Sequence, residues 1–296
     1  MSQDQSWAVA NSPGPVVESV RRVPPPPLRP LVAWYSGYRQ AGLRPARHRG
    51  LPFPYLTLII TLDEPLCVAA HPDPRQPPGE FTTLVGGLHT SPAVITHQGS
   101  QSGIQLGLTP LGARALFGMP ASELAGIDVC GSDVLGAVAA KWQARLREAA
   151  TWPERFAILD EPLRRQADRD AAIPAELTHA WARLLATGGA VSIADLASEV
   201  GRSPRHLGGR FRAEIGFGPK AAARMVRFHR ARILLQRRVG SGRPASLADL
   251  AAACGYYDQA HLAREFRALA GCPPSQWLAE EFRYVQAHAI GAEEGL

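Results

Sequence analysis

The sequence predicts an α+β N-terminal domain, a small antiparallel sheet or partial barrel plus helices, followed by an all-α domain with two helix-turn-helix motifs. Three observations carry this. Short β-branched and aromatic runs, punctuated by Gly, Pro and Asp, fill residues 31–108. From Thr109 onward apolar residues recur at three- and four-residue spacing. Finally, the pattern of residues 192–219 returns nearly in register at 246–274. A chain of 296 residues is long enough for two cores.

Residues 1–30 are rich in Pro and polar groups and end in VPPPPLRP. Four prolines at 24–27 favour a stiff polyproline segment, so this stretch reads as a flexible Pro-rich arm or linker. Binding to a proline-recognition domain is the alternative. The strand candidates follow as LVAWYSGY, YLTLIITL, LCVAA, FTTLVGGL, AVITHQ and SGIQLGL, with HQGSQSG at 97–103 read as a hairpin between two of them.

Thr109-Pro110 starts a helix, with Thr as N-cap and Pro at the first position. Leu135, Val138, Trp142, Leu146 and Ala149 form a helical stripe. Thr151-x-x-Glu154 is a capping box opening the next helix, which Pro162 should kink or end. These helices either pack on the sheet or line a dimer interface. A break near Arg169–Ile173 divides a sensory or dimerisation domain at 31–170 from a helical domain at 172–285, with a tail at 286–296.

The repeat has physical content. Ser192-Ile-Ala-Asp195 matches Ser246-Leu-Ala-Asp249 at an offset of 54, and each is a helix-start pattern. Leu196-Ala197 and Gly201 match Leu250-Ala251 and Gly255. After the turn the offset is 55: His206-Leu207, Phe211-Arg212, Gly216 and Pro219 match His261-Leu262, Phe266-Arg267, Gly271 and Pro274. Gly201 suits a left-handed helix end, Ser203 and Asp258 cap the second helices, and Leu207/Phe211 and Leu262/Phe266 pack back on the first. This is helix, tight turn, helix, twice. The second turn carries one extra residue.

Charge points the same way. The net charge is +6. Between Val191 and Arg283 there are 15 basic and 8 acidic residues, against 17 and 18 elsewhere, so the positive excess lies in the repeat region and suggests a polyanion partner there.

Residues 172–284 are similar to the DNA-binding domain of the AraC/XylS family of transcription regulators. The matching residues are Leu196-Ala197, Ser203, Leu207, Phe211, Gly216 and Pro219, then Arg227 and Ala231, then Leu250-Ala251, Gly255-Tyr256, Asp258, Leu262, Phe266, Gly271, Pro274 and Trp277, the last at a position often tyrosine. The N-terminal part resembles a β-rich sensory region of some members. The resemblance implies a sequence-specific regulator that binds double-stranded DNA. Two recognition helices near 203–214 and 258–269, joined by a helix at about 219–237, would enter successive major grooves about 34 Å apart. Met225, Phe228, Ala231 and Leu235 would pack on both units. It also implies control by the N-terminal domain. A small-molecule effector, a homodimer and contact with RNA polymerase are further partners it admits. A constitutive DNA-binding dimer without ligand is the other reading.

In the family, base-contacting side chains come from the positions of Arg205, Gly208 and Gly209. Two of these three are glycine here, so the first helix is expected to bind through Arg205, Arg212 and close backbone approach, with little base discrimination. On the second helix Gln259, Ala260, His261, Ala263, Arg264 and Arg267 lie outside the Leu262/Phe266 stripe. Gln259 suits an adenine edge and Arg264 suits guanine O6 and N7. His261 either contacts phosphate or fills space. Arg202, Arg224, Arg227, Arg230 and Arg243 are phosphate candidates, Arg227 being equally a structural residue.

Other chemistry finds little support. Trp34, Tyr35, Tyr38, Phe53 and Tyr55 either line an apolar ligand site or fill a core. His48, His71, His89 and His97 lack ligand spacing, so neither metal nor cofactor is expected, and they read as surface or satisfied loop residues. GSQSG at 99–103 lies near His97 but lacks the G-x-S-x-G elbow, and there is no P-loop, dinucleotide fingerprint or zincin helix. The chain is therefore not expected to be an enzyme, although a catalytic N-terminal domain fused to a DNA reader is conceivable. Cys67, Cys130, Cys254 and Cys272 read as free thiols of a reducing compartment. The longest apolar run, near Tyr55–Leu62, is too short to cross a bilayer and no signal peptide opens the chain, so the expected location is cytoplasmic, without membrane contact.

Overall fold

A computed structural model describes residues 15–167, 174–242 and 246–285, with side chains through 280. Among the described residues ten strands come first: β1 (Val16–Arg22), β2 (Val32–Ala41), β3 (Ala46–Gly50), β4 (Leu56–Thr61), β5 (Leu66–Ala70), β6 (Gly79–Phe81), β7 (Thr83–Gly86), β8 (Ala93–His97), β9 (Gln101–Leu108) and β10 (Asp128–Cys130). They form two antiparallel sheets, β1-β2-β9-β4-β7-β10 and β3-β8-β5-β6. Strand β4 shows how they stack. Its Leu56, Leu58 and Ile60 join the large core, while Ile59 joins Leu66, Val68, Phe81 and Leu84. Because side chains alternate along a strand, the six-stranded sheet is covered on both faces, by helices on one and by the second sheet on the other.

The helices on that first face are short: α1 (Ala113–Phe117) and α2 (Gly131–Leu135) lead to α3 (Val138–Glu148) and α4 (Trp152–Ala167). Trp142, Leu146, Phe156, Leu159 and Leu163 are buried against the sheet. Tyr35 of β2 lies 5.7 Å from Phe156, and its hydroxyl donates to Asp160 at 3.0 Å. Gln143 and Arg147 donate to the Thr61 and Leu62 carbonyls at 3.0 and 2.7 Å. Of the predicted stripe, Trp142 and Leu146 therefore pack on the sheet, whereas Val138 is exposed. The capping box forms as expected, with the Thr151 N–H donating to Glu154 at 3.0 Å.

Two expectations are corrected and one is narrowed. The described part of the supposed arm is built into the fold: β1 pairs with β2 along its whole length, and Leu28, on a 3-10 turn at Pro26–Leu28, is fully buried. HQGSQSG is no hairpin, because β8 belongs to one sheet and β9 to the other; Gly99 takes φ +100° at this corner and its carbonyl accepts from Leu43 N–H. Of the two outcomes expected at Pro162, a kink or an end, the end is excluded: α4 runs five residues further, with Leu159 and Leu163 anchored on either side. The expected break at 169–173, Arg243 and the tail at 286–296 lie outside the described residues.

The helical part comprises α5 (Ala175–Ala186), α6 (Ile193–Glu199), α7 (Pro204–Ile215), α8 (Pro219–Gly240), α9 (Leu247–Ala253), α10 (Gln259–Ala270) and α11 (Pro274–Val285). The long helix α8 changes cores partway along. Ala222 and Met225 belong to a cluster continuous with the β-rich core, whereas Phe228, Ala231 and Leu235 belong to a second cluster with α9, α10 and Trp277. All four cysteines are free, and burial pushes the Cys254 and Cys272 thiols up. No helix among the described residues is long and apolar enough to cross a membrane.

Candidate nucleic-acid interface

Both helix-turn-helix units are built by the same local chemistry. Ser192 and Ser246 accept the Asp195 and Asp249 N–H groups at 3.0 and 3.2 Å, which starts α6 and α9. Gly201 and Gly255 end these helices at φ +64° and +70°, a conformation that costs glycine little. The Arg202 and Tyr256 N–H groups then reach back to the Ala197 and Ala251 carbonyls, each at 2.9 Å. Ser203 and Asp258 accept from His206 and His261, at 3.2 and 2.6 Å, and start α7 and α10. Leu207, Phe211, Leu262 and Phe266 are fully buried. Because Arg202 and Tyr256 make the same bond, the extra residue of the second turn is Tyr257, which is 93% exposed.

On α7 the predicted residues Arg205, Gly209 and Arg212 are exposed, whereas Gly208 is buried. The missed neighbours are His206 and Arg210. With Ser203, Arg205 and Gly209 they line an open bay of about 410 Å³ over the first turns of the helix. Their spacing held the signal, since 205/209 and 206/210 are adjacent i,i+4 rows. On α10, Gln259, Ala260, Arg264 and Arg267 are exposed, and His261 and Ala263 are half-buried. The His261 ring sits edge-on to Tyr256 at 5.2 Å, and its Nδ1 accepts the Tyr257 N–H at 3.3 Å. In a neutral ring this leaves the proton on Nε2, so His261 can present a donor outward.

The two glycines are not demanded by space. A Cβ on Gly209 would meet nothing within 4 Å, and one on Gly208 would make ordinary contact with the Arg212 guanidinium at 3.5 Å. Neither has positive φ. Exchanging both for alanine is expected to stabilise α7 by about 0.8–1 kcal/mol per site, visible as a higher Tm of the full chain. A lower Tm would show that the backbone there needs glycine.

The candidate phosphate contacts divide. Arg202 is exposed. Arg224 instead donates to Glu265 of α10 at 2.6 Å. Arg227 donates to the Gly189 carbonyl at 2.9 Å and lies 5.8 Å over the Tyr256 ring, so it ties the α5–α6 turn to the second unit and is a structural residue. Arg230 packs over Gly188. At the rear of the first unit, Arg183 and His179 hold the Glu199 carboxyl down at about 2.

In the β-rich part, Tyr35 is core and its phenol is pushed up by burial. Trp34 lies 6.3 Å from Phe53, which lies 6.0 Å from Tyr55, and both Phe53 and Tyr55 face His229 of α8 at 6.2 and 6.5 Å. These aromatics thus join the sheets to the long helix. His71 is a satisfied loop histidine, its Nδ1 2.6 Å from Asp128, while His97, at the end of β8, is buried rather than on the surface and its Nδ1 accepts from Gly99 N–H. No group of three potential metal ligands occurs among the described residues.

Residues 196–280 match a family described as a helix-turn-helix domain. Residues 20–129 match a domain of unknown function (DUF6597). No curated protein matches the chain. A transcriptional regulator with an AraC-type DNA-binding domain from Chromobacterium violaceum is similar at 26% identity, over 39% of this chain and 95% of its own, with a TM-score of 0.32. A probable AraC family regulator from Rhodopseudomonas palustris CGA009 is similar at 27% identity, over 35% of this chain and 94% of its own, TM-score 0.32. ToxT from Vibrio cholerae O395 is similar at 10% identity over 90% of this chain and 98% of its own, TM-score 0.47.

Proposed function

We propose that the chain, through its paired helix-turn-helix units, is a transcription regulator of the AraC/XylS type that reads DNA asymmetrically under the control of its β-rich part. The observation that carries this is the unequal dress of two identically built helices. Helix α7 offers Arg205 and Arg212 around bare backbone at Gly209, a surface suited to phosphates, which position a protein without specifying sequence, while Arg210 pairs with Glu176 of α5 at 3.7 Å. Helix α10 offers Gln259, a pre-oriented His261 and Arg264, groups that can pair with base edges. With the two helices in successive major grooves about 34 Å apart, most sequence information lies in the half-site under α10.

The test uses the full chain on duplexes selected from a random library. Each neutralised phosphate contributes a slope of about −0.9 to log affinity against log salt. Arg264→Ala is expected to cost about 1–3 kcal/mol and to relax preference at one base position with little change in slope. An equal loss on every sequence, with the slope reduced by about one, would instead make Arg264 a phosphate contact. Absence of any salt-sensitive duplex binding would end the proposal.

A further inference from the structure

The β-rich part touches both helix-turn-helix units, and in each it touches the same place. Gly216 follows α7 and Gly271 follows α10; they are repeat mates at an offset of 55. Both take the left-handed conformation, φ +91° and +72°, that closes a recognition helix. Both are also pressed by the N-terminal part. A Cβ on Gly216 would come within 2.4 Å of Ala125 and 3.2 Å of Ser122. One on Gly271 would come within 3.3 Å of the Arg49 guanidinium and 3.5 Å of Pro92.

Polar contacts lock each point. At the first, the Ser122 hydroxyl donates to the Ala213 carbonyl at 2.7 Å, one of the last-turn acceptors a helix leaves open. Arg114 of α1 grips the Glu214 carboxylate through two nitrogens, Nη2 at 3.0 Å, and Glu214 is only 7% exposed. At the second, Arg49 of β3 donates to Glu280 of α11 through Nε at 2.9 Å and Nη2 at 3.4 Å, and this arginine holds the Glu280 carboxyl below its usual range. A guanidinium at the C-terminal end of a helix also suits the negative end of its dipole. The two arms share no sequence pattern, and their polar contacts differ, the first gripping α7 itself and the second the following α11, yet both press on the equivalent glycines Gly216 and Gly271. Meanwhile the N-terminal halves of α7 and α10, which carry the base-facing residues, stay open.

We propose that the β-rich part is a two-point clamp: it holds the two recognition helices by their C-terminal ends, fixes their mutual placement, and so couples its own conformation to DNA binding. This rests on the DNA-reading function above. The clamp is a supporting one, since it leaves the reading faces free. By linkage, whatever strengthens the clamp must strengthen two-site binding, and two-site DNA must tighten the clamp by the same factor.

The experiment compares the full chain with Glu214→Gln and Glu280→Gln, singly and together. The probes are the selected duplex, the same duplex with one base pair inserted between half-sites, and a duplex keeping only the α10 half-site. Rigidly held helices make the unmodified chain lose about tenfold on the inserted duplex. The double variant is expected to lose less than about threefold there, with half-site affinity kept within about twofold. A retained spacing penalty, or an equal loss on all three probes, would overturn the clamp, as would a rise in two-site affinity. Hydrogen exchange on the unmodified chain gives an answer independent of variant folding: two-site DNA should slow exchange at residues 114–125 and 46–50, and half-site DNA should not. No slowing would also overturn it. If no duplex is selected at all, it is the DNA-reading function that has failed.

Discussion

Phe266→Ala is expected to unfold the second helix-turn-helix unit while the rest of the chain stays folded. Phe266 is fully buried, with its ring 4.9 Å from Phe228 and 5.8 Å from Trp277. Truncating such a core phenylalanine costs about 3–5 kcal/mol. The cluster it anchors is small and separate: Phe228, Ala231 and Leu235 of α8, the faces of α9 and α10, Trp277, and Leu51 from the β-rich part. Little else shares the loss, so the damage should stay local. A thermal scan should gain a low-temperature step that carries the Trp277 fluorescence change. Salt-sensitive binding through α7 should survive, while preference among duplexes disappears. A single transition with preference intact would show that the two cores melt as one.

The ability to foresee such a unit from sequence follows from where its information sits. The helix-turn-helix pair was legible because its punctuation is local: a Ser or Asp cap, a glycine at the helix end, and two apolar residues four apart, all repeated. The strands were less so. The β3 segment ARHRG has no large apolar residue and is a strand because β8 pairs with it. VVESVRR beside a proline run looked like an arm, yet β2 recruits it as an edge. HQGSQSG encodes a sharp corner, and nothing in its seven residues says which sheet the next strand joins, since pairing is decided by distant partners. The same holds at the candidate interface. Arg205 and Arg264 could be placed by helical period alone. Arg224 and Arg227 could not, because what occupies them, Glu265 and the Gly189 carbonyl, lies 41 and 38 residues away. Both arms of the clamp are contacts of that distant kind.

Phe211→Ala makes the same chemical change at the repeat mate, and a different outcome is expected. Phe211 is equally buried, and a similar loss of about 3–5 kcal/mol applies. Its neighbours differ. Leu196, Leu207, Ile215, Ala222 and Met225 belong to one cluster that runs on through Trp181 and Leu116 into the sheet residues Leu58, Ile104 and Leu106. Glu214 and Ala213, on the same helix, are held by Arg114 and Ser122. A defect at Phe211 is therefore shared with the β-rich core. Of a typical stability of about 5–15 kcal/mol, a fifth or more would go. At roughly 2–4 °C per kcal/mol for a body of this size, the main transition should fall by about 10 °C without splitting. Far-ultraviolet dichroism at helical and strand wavelengths should move together, which checks it. Were Phe211→Ala to give a separate early step like Phe266→Ala, the first reader would be an independent module. The β-rich part could then hold it only through surface contacts, and the shared core would not be the route by which one half of the chain senses the other.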